Sequence, residues 1–263
     1  MHSYKVERNW SLITRQSCGV LMLLLTWSGM SIAQAKSAPL QLDPIRQYES
    51  LLAKSVKGNL VDYNIVQEES KTLLAYLRYV SVTEPKNWTK TEQLAFYINA
   101  YNAIVLNAVL THKRPARVLD VPGFFDQLEY TVGGRSMTLN TLEEKKIRSS
   151  GDPRVHFVVN CASYDCPPLA PFLYRADQLE AQLENQTAQF LRQTQSIRVS
   201  KKENNIEISE LFKWYEKDWG TQKDVRLFLA RYRPDLSRKL KQESLHVSYR
   251  KYNWALNSYQ THK

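Results

Sequence analysis

The sequence is poor in glycine, proline and cysteine. Its 263 residues include 8 glycines, 10 prolines and 3 cysteines, and it has no tract rich in any of them. Collagen-like, low-complexity and repeat architectures are therefore excluded, because each needs a biased or periodic composition. Hydrophobic residues make up 43% and charged residues 24%, which is typical of a globular protein.

Signatures of several enzyme classes are missing as well. The chain has no Walker loop, no dinucleotide-binding glycine pattern, no zinc-binding helix motif and no Gly-x-Ser-x-Gly elbow. We therefore expect no cofactor and no metal. The formal charge is +10, but the basic residues are spread along the chain, so we expect no nucleic-acid partner.

Residues 1–35 have the pattern of an export signal. Basic residues come first, a mostly apolar run follows over residues 18–32, and Ala33-Gln34-Ala35 matches a signal peptidase site. The apolar run is shorter than the ~20 residues of a membrane span, which favours cleavage after Ala35 over anchoring. We expect residues 36–263 to be periplasmic or secreted, with no later segment apolar enough to cross a membrane.

Hydrophobic periodicity predicts one α+β domain over residues 36–263, with helices around a small, mostly antiparallel sheet. Helices are predicted over residues 40–57, 68–80, 88–112, 138–148, 177–193, 209–217 and 224–232. Strands are predicted over residues 60–63, 130–132, 135–137, 155–159, 197–199, 206–208 and 246–249. No linker rich in glycine, proline or serine divides the chain, which favours a single domain.

Two cysteines, Cys161 and Cys166, follow the predicted strand over residues 155–159. Three interpretations are open. An oxidising compartment and the absence of another partner favour a disulfide between them. One of them could instead be a catalytic thiolate, which needs a lowered thiol pKa and a nearby base. Metal binding with a histidine is the third, although the spacing lacks the usual paired-cysteine signature.

His156 is the nearest candidate base for Cys161. Five residues along an extended strand span about 16 Å, and an odd separation points the two side chains to opposite faces. The pair could meet only if the chain bends near Asn160. Otherwise His156 is a buried histidine bonded to the backbone, and His112 or His246 could reach the loop in the fold.

Two asparagines, Asn99 and Asn102, share a face of the predicted central helix. Their amides either pair with the backbone of neighbouring loops or face a cleft and hold an amide-like ligand. Trp214 belongs to an aromatic group that is either core or a binding platform. The members of this group are Phe212, Trp214, Tyr215, Trp219, Tyr249, Tyr252 and Trp254.

Together these segments resemble the domain of unknown function 547 family. The resemblance rests on Asn59-Leu60-Val61-Asp62-Tyr63, Phe96-Tyr97-Ile98-Asn99-Ala100-Tyr101-Asn102, Thr131-Val132-Gly133-Gly134, the span from His156-Phe157 to Cys161, Cys166-Pro167-Pro168, Phe212-Lys213-Trp214-Tyr215 and Tyr252-Asn253-Trp254-Ala255-Leu256-Asn257. It covers nearly all of residues 36–263. Members of this family are largely uncharacterised, and many bacterial members look exported, so the resemblance implies an exported protein. It also implies a distant similarity to papain-like or transglutaminase-like thiol enzymes. In papain-like enzymes the cysteine opens the central helix, where this chain has Asn99 and Asn102.

Two functional hypotheses follow. The favoured one is a binding or envelope-interaction module for a peptide-like small molecule or an envelope component, with Asn99, Asn102, Cys166 and Trp214 as binding residues. The alternative is a thiol-dependent transferase or hydrolase of a peptide or amide bond. Cys161 would then be the nucleophile and His156 the base, with asparagine or backbone amides holding the oxyanion. The sequence leaves open whether the protein is an enzyme.

Overall fold

The computed structural model describes residues 43–200 and 204–261, which form one α+β domain as predicted. The predicted export signal lies outside the described residues. The helices are α1 Pro44–Ser55, α2 Tyr63–Glu68, α3 Ser70–Val82, α4 Lys90–Thr111, α5 Leu139–Leu142, α6 Leu179–Leu191, α7 Leu211–Trp214, α8 Glu216–Trp219, α9 Gln222–Tyr232 and α10 Ser237–Leu240. The strands are β1 Val56–Lys57, β2 Leu60–Val61, β3 Glu129–Val132, β4 Arg135–Thr138, β5 Ile197–Val199, β6 Asn205–Ser209 and β7 His246–Arg250.

The strands form small sheets. β1 pairs with β2 and β3 with β4, both antiparallel, while β5 and β6 are antiparallel and β6 and β7 are parallel. The β3–β4 turn uses Gly133 and Gly134 at φ 60° and 73°, values that two-residue hairpin turns require and that glycine tolerates. Their N–H groups donate to the carbonyls of Val80 and Ser81, which fixes the hairpin against the end of α3.

Helix α4 is the central element, as its apolar circumference predicts. A capping box begins the helix, because Thr89 N–H donates to the Glu92 carboxylate and Glu92 N–H donates to the Thr89 hydroxyl. All residues from 95 to 106 are buried. The helix is long and apolar enough to cross a membrane, contrary to the expectation for the chain after Ala35, but most of it is buried inside this protein.

Two clusters of buried side chains make up the interior. The first, here called the α4 core, surrounds α4 with α1, α3 and the β3–β4 hairpin. The second, here called the aromatic core, joins α6, α7, α9 and the β5–β6–β7 sheet. Phe157 is fully buried in the aromatic core, with its ring 5.3 Å from that of Phe190.

The strand predicted over residues 155–159 is wrong. The segment begins with a 3₁₀ helix, Pro153–Phe157, whose first turn is capped by the Asp152 carboxylate accepting the Arg154 N–H. Val158 belongs to the α4 core and Phe157 to the aromatic core. A segment buried on both sides has a short apolar run in either conformation, so apolarity alone cannot separate a strand from a helix here.

Candidate functional site

A cavity of about 180 Å³ lies where the two cores meet, and it contains both cysteines. The lining residues are Tyr101, Phe125, Asn140, Glu143, His156, Val159, Cys161, Cys166, Pro167, Leu211, Trp214, Tyr215, Tyr252 and Trp254. The cavity therefore combines thiols, a carboxyl group, an imidazole and aromatic rings. Neither His112 nor His246 is part of this wall.

The two cysteines lie side by side. Their Sγ atoms are 2.8 Å apart, whereas a disulfide bond is about 2.05 Å long, and both are free thiols in this structure. Cys161 is partly exposed to the cavity, while Cys166 is only 4% exposed. The predicted disulfide is thus not formed here and stays a prediction. No three His, Cys, Asp or Glu side chains within residues 43–200 and 204–261 form a metal-holding group.

Hydroxyl groups surround the sulfur of Cys161. Its Sγ is 2.8 Å from Ser163 Oγ and 3.4 Å from the Tyr252 hydroxyl, and those two hydroxyls are 2.8 Å apart. Each hydroxyl can donate to a thiolate. The three polar groups thus form a continuous network with Cys161 at its centre.

The two thiols differ in acidity. Burial raises the pKa of Cys161, but hydrogen bonds from Cys166, Ser163 and Tyr252 outweigh burial and bring it down to about 7. Burial raises the pKa of Cys166 well above its usual range, and the hydrogen bond and charge of Cys161 raise it further. At neutral pH, a large fraction of molecules has therefore lost one of the two thiol protons of this pair. The negative charge then lies on Cys161.

Asn102 positions the start of the cysteine loop. Its amide nitrogen donates to the carbonyl of Val158 at 2.9 Å, and its carbonyl oxygen accepts the N–H of Asn160 at 2.9 Å. Asn99 makes the equivalent pair of bonds to the backbone of Tyr174. Both asparagines thus bind neighbouring loops, which is the first of the two interpretations open from the sequence.

Asn160 then closes the loop. Its side-chain nitrogen donates to the carbonyl of Pro167 at 2.7 Å, and its oxygen accepts the N–H of Ala162 at 2.9 Å. Ala162 has φ 61°, a left-handed conformation that costs a non-glycine residue about 1–3 kcal/mol. This bend directs the chain back so that Cys161 and Cys166 meet.

The segment after β7 completes the site from the far end of the sequence. The carboxylate of buried Asp165 accepts hydrogen bonds from Arg250 and from the N–H of Asn253. The N–H of Asn257 donates to the carbonyl of Ala162, and its side chain accepts from the Tyr63 hydroxyl. These bonds place Tyr252 against Cys161.

Glu143 is the carboxyl group of the cavity. It begins a five-residue π-helix that follows α5, a feature often found at functional sites. Burial raises its pKa, although hydrogen bonds from the Tyr215 and Tyr101 hydroxyls act against that effect. Glu143 thus holds a proton to higher pH than an ordinary glutamate, which is a requirement for a general acid near neutral pH.

His156 lies on the cavity wall but pairs with an acid rather than with the thiol. Its Nε2 is 2.8 Å from Asp218 Oδ2, which also accepts from Arg148 Nε at 2.7 Å, and its ring stacks on Tyr215. Burial lowers its pKa to about 4 despite the Asp218 carboxylate. The neutral imidazole is thus bonded to a side chain, not to the backbone as one of the sequence interpretations had it.

Aromatic rings form the rest of the wall. Trp214 is 42% exposed and stacks on Trp254 with ring centres 5.3 Å apart, and Tyr252 lies 4.8 Å from Trp214. Phe212 and Trp219, by contrast, are buried in the aromatic core. The aromatic group of the sequence is therefore divided between core and cavity.

Comparison with known families gives one match. Residues 85–191 match the family described as protein of unknown function, DUF547. This segment of the chain is similar to the DUF547 family. A search of curated proteins and of solved structures finds nothing that matches this chain. The similarity to papain-like or transglutaminase-like enzymes remains a prediction.

The DUF547 match covers less of the chain than the resemblance predicted. It includes α4, Glu143, His156 and the cysteine loop, but it ends before the aromatic wall that Trp214, Tyr252 and Trp254 form. The thiols and the carboxyl group are therefore contributed by the matched segment. The rings of Trp214, Tyr215, Tyr252 and Trp254 are contributed by residues outside it, whereas Tyr101 and Phe125 belong to the matched segment.

Sequence reasoning missed Glu143, Ser163 and Asn160 as site residues. Glu143 belongs to an ordinary-looking acidic and basic run, and nothing in the sequence signals its burial. Asn160 and Ser163 flank Cys161, so their proximity to it was a usable signal. Tyr252 was recognised only as a member of the aromatic group.

Proposed function

We propose that the protein is a thiol-dependent transferase or hydrolase that acts on a peptide or amide bond, with Cys161 as the nucleophile. The observation that carries this proposal is the setting of Cys161: a partly exposed cysteine that lines a cavity, with hydrogen-bond donors around its sulfur that bring its pKa to about 7. A thiolate present at neutral pH needs no separate base to remove its proton. The position of His156 beside Asp218 is therefore compatible with the proposal.

The reaction would proceed in two steps. The Cys161 thiolate attacks the carbonyl carbon, and a C–S bond forms while the C–N bond breaks and the leaving amine takes a proton. Glu143 is the acid that supplies this proton, because it lines the same cavity and its pKa is raised by burial. Water or an acceptor amine then attacks the thioester, returns a proton to Glu143 and releases Cys161.

A binding module without catalysis is the second candidate. It is favoured by the exposed ring of Trp214 stacked on Trp254, since such a surface can hold a peptide-like or envelope ligand by stacking alone. In that case the thiol would take up an acyl group slowly or not at all. The two candidates share the cavity and differ in the reactivity of Cys161.

The pH dependence of alkylation tests the thiolate. Iodoacetamide labelling followed by peptide mapping should show Cys161 reacting with a midpoint near pH 7. Tyr252→Phe and Ser163→Ala each remove one donor and should move that midpoint upward. A Cys161 that reacts only above about pH 8.5, as an ordinary cysteine does, would remove the basis of the proposal.

Acylation separates the two candidates. An activated ester of a short peptide should form a thioester on Cys161 that turns over, and Cys161→Ser should abolish it. Glu143→Gln should slow release of an amine product more than that of a phenol, because only the amine needs the proton. Ligand binding with no acylation of Cys161 would favour the binding module.

We also propose that the protein is exported to the periplasm and begins at Lys36 after cleavage. The support is the apolar run followed by Ala33-Gln34-Ala35. Mass spectrometry of the periplasmic fraction should find Lys36 at the amino terminus. Recovery of Met1 there would contradict cleavage.

A further inference from the structure

The cysteine loop places two thiols side by side, although acyl transfer needs only one. One sulfur suffices for a thiol nucleophile, yet Cys166 Sγ lies 2.8 Å from Cys161 Sγ and also accepts the N–H of Cys161 at 2.9 Å. Cys166 is buried, whereas Cys161 is partly exposed to the cavity. Both residues line the cavity, but a partner from solvent meets Cys161 first because Cys161 is the more exposed of the two.

The loop is held so that the sulfurs can bond with little movement. Asn160 binds both Ala162 and Pro167, and thereby fixes the two ends of the loop relative to each other. Formation of a disulfide requires the sulfurs to move from 2.8 Å to about 2.05 Å. That is a shift a side-chain rotation can supply.

We propose that Cys161 and Cys166 form a redox-active pair that exchanges with small disulfide compounds entering the cavity. Cys161 is the attacking thiol, because it is the more exposed of the two cysteines and the Ser163 and Tyr252 hydroxyls surround its sulfur. Cys166 is the resolving thiol. This activity uses the thiol of the proposed function but needs no acyl substrate.

The exchange balances as follows. The Cys161 thiolate attacks one sulfur of the compound, so that a mixed disulfide forms, the compound's S–S bond breaks and its first half leaves as a thiolate that takes a proton from water. Cys166 then loses its proton to solvent and attacks Cys161 sulfur, which releases the second half as a thiolate. The compound gains two electrons, and the Cys161–Cys166 pair loses two and becomes a disulfide.

The unequal acidity of the two thiols suits these roles. Hydrogen bonds keep Cys161 ionised near neutral pH, while burial and the neighbouring charge keep the proton on Cys166. Once Cys161 is bound in a mixed disulfide, its charge no longer acts on Cys166. The resolving thiol thus becomes more acidic at the step in which it must react.

Reaction with oxidised glutathione tests the proposal. The reduced full chain is incubated without oxygen at pH 7, quenched with acid and examined by mass spectrometry with peptide mapping, which separates Cys18 from the pair. The expected product is a Cys161–Cys166 disulfide with release of two glutathiones. Cys166→Ser should instead accumulate one glutathione on Cys161, and Cys161→Ser should lose reaction at Cys166.

Other products would overturn the proposal. They are glutathione on both cysteines of the pair without an internal disulfide, or no reaction at either cysteine while Cys161 still reacts with iodoacetamide. Circular dichroism of both serine variants checks that they fold. If glutathione fails but the activated ester still acylates Cys161, the redox pair is wrong and the proposed function stands.

Discussion

The α4 core and the aromatic core differ in the side chains that fill them. The α4 core is mostly aliphatic, and its polar groups, such as Asn99 and Asn102, are paired with the backbone of neighbouring loops. The aromatic core is held by rings around Phe157, of which Phe190 is stacked on it and Phe212 is tilted against it. The α4 core therefore holds neighbouring loops by hydrogen bonds. The aromatic core exposes aromatic rings where it borders the cavity.

The two cores contribute different side chains to the cavity. Tyr101 and Glu143 come from helices of the α4 core or next to it, while Tyr215 and Tyr252 come from the aromatic core. The cysteine loop lies between them. Substitutions in the two cores should thus affect the thiols through different contacts.

Phe157→Ala should have the largest effect. The fully buried ring contacts Phe190, Phe212 and Trp219, so its loss should cost about 3–5 kcal/mol of unfolding free energy. Chemical denaturation measures it, and Phe228→Ala at the partly exposed rim is the control, with a smaller expected cost. One transition should be seen by tryptophan fluorescence and by circular dichroism. Two transitions would mean that the cores unfold separately.

Asn102→Leu should come next. It leaves the N–H of Asn160 and the carbonyl of Val158 without their partner, at about 1–3 kcal/mol for each buried group. We expect the unfolding free energy, measured by chemical denaturation, to fall by about 2–4 kcal/mol. Alkylation of Cys161 should also be slower, since the cysteine loop loses its hydrogen bonds to Asn102. Asn107→Leu, a partly exposed position on the same helix, should cost far less. An Asn102→Leu protein that melts like the parent would show that the amide does not hold the loop.

The smallest effect concerns pH. The pKa of His156 is about 4 in the folded protein and about 6.5 when unfolded, so the unfolded chain binds more protons between these values. His156 therefore stabilises the fold fully above pH 6.5, and roughly 2–3 kcal/mol should be lost as pH falls to 4. The difference in unfolding free energy between the parent and His156→Gln, measured from pH 4 to pH 7.5, isolates this contribution from that of Glu143. A flat difference would contradict the low pKa.

Much of the fold was readable from local patterns. Helix α4 follows from its apolar circumference and the Thr89–Glu92 box, and the β3–β4 hairpin follows from its two glycines. The conformation of residues 155–159 was not readable, because a segment buried between two cores shows no hydrophobic periodicity. The signal for a helix start was present in Asp152 and Pro153.

The site was readable only in part. The cysteines and His156 stand out by residue type, and all three line the cavity. Their partners do not stand out, since Asp218 and Tyr252 lie 62 and 91 residues from the side chains that they contact. No local pattern encodes a contact across that distance, so the pairing of His156 with Asp218 rather than with Cys161 could not be foreseen.

Those separations also bear on how the molecule reaches its native state. The bond between the hydroxyl of Tyr63 and Asn257 closes 194 residues, and the contact between Cys161 and Tyr252 closes 91. Closing such long loops loses chain entropy before any contact compensates for it, so we expect these contacts to form late in folding. During folding, α4 and its neighbours can already be compact while Cys161 still lacks the Tyr252 hydroxyl. A molecule that stalls at that stage lacks one of the hydroxyl donors to Cys161, so the pKa of its thiol is higher than in the folded protein.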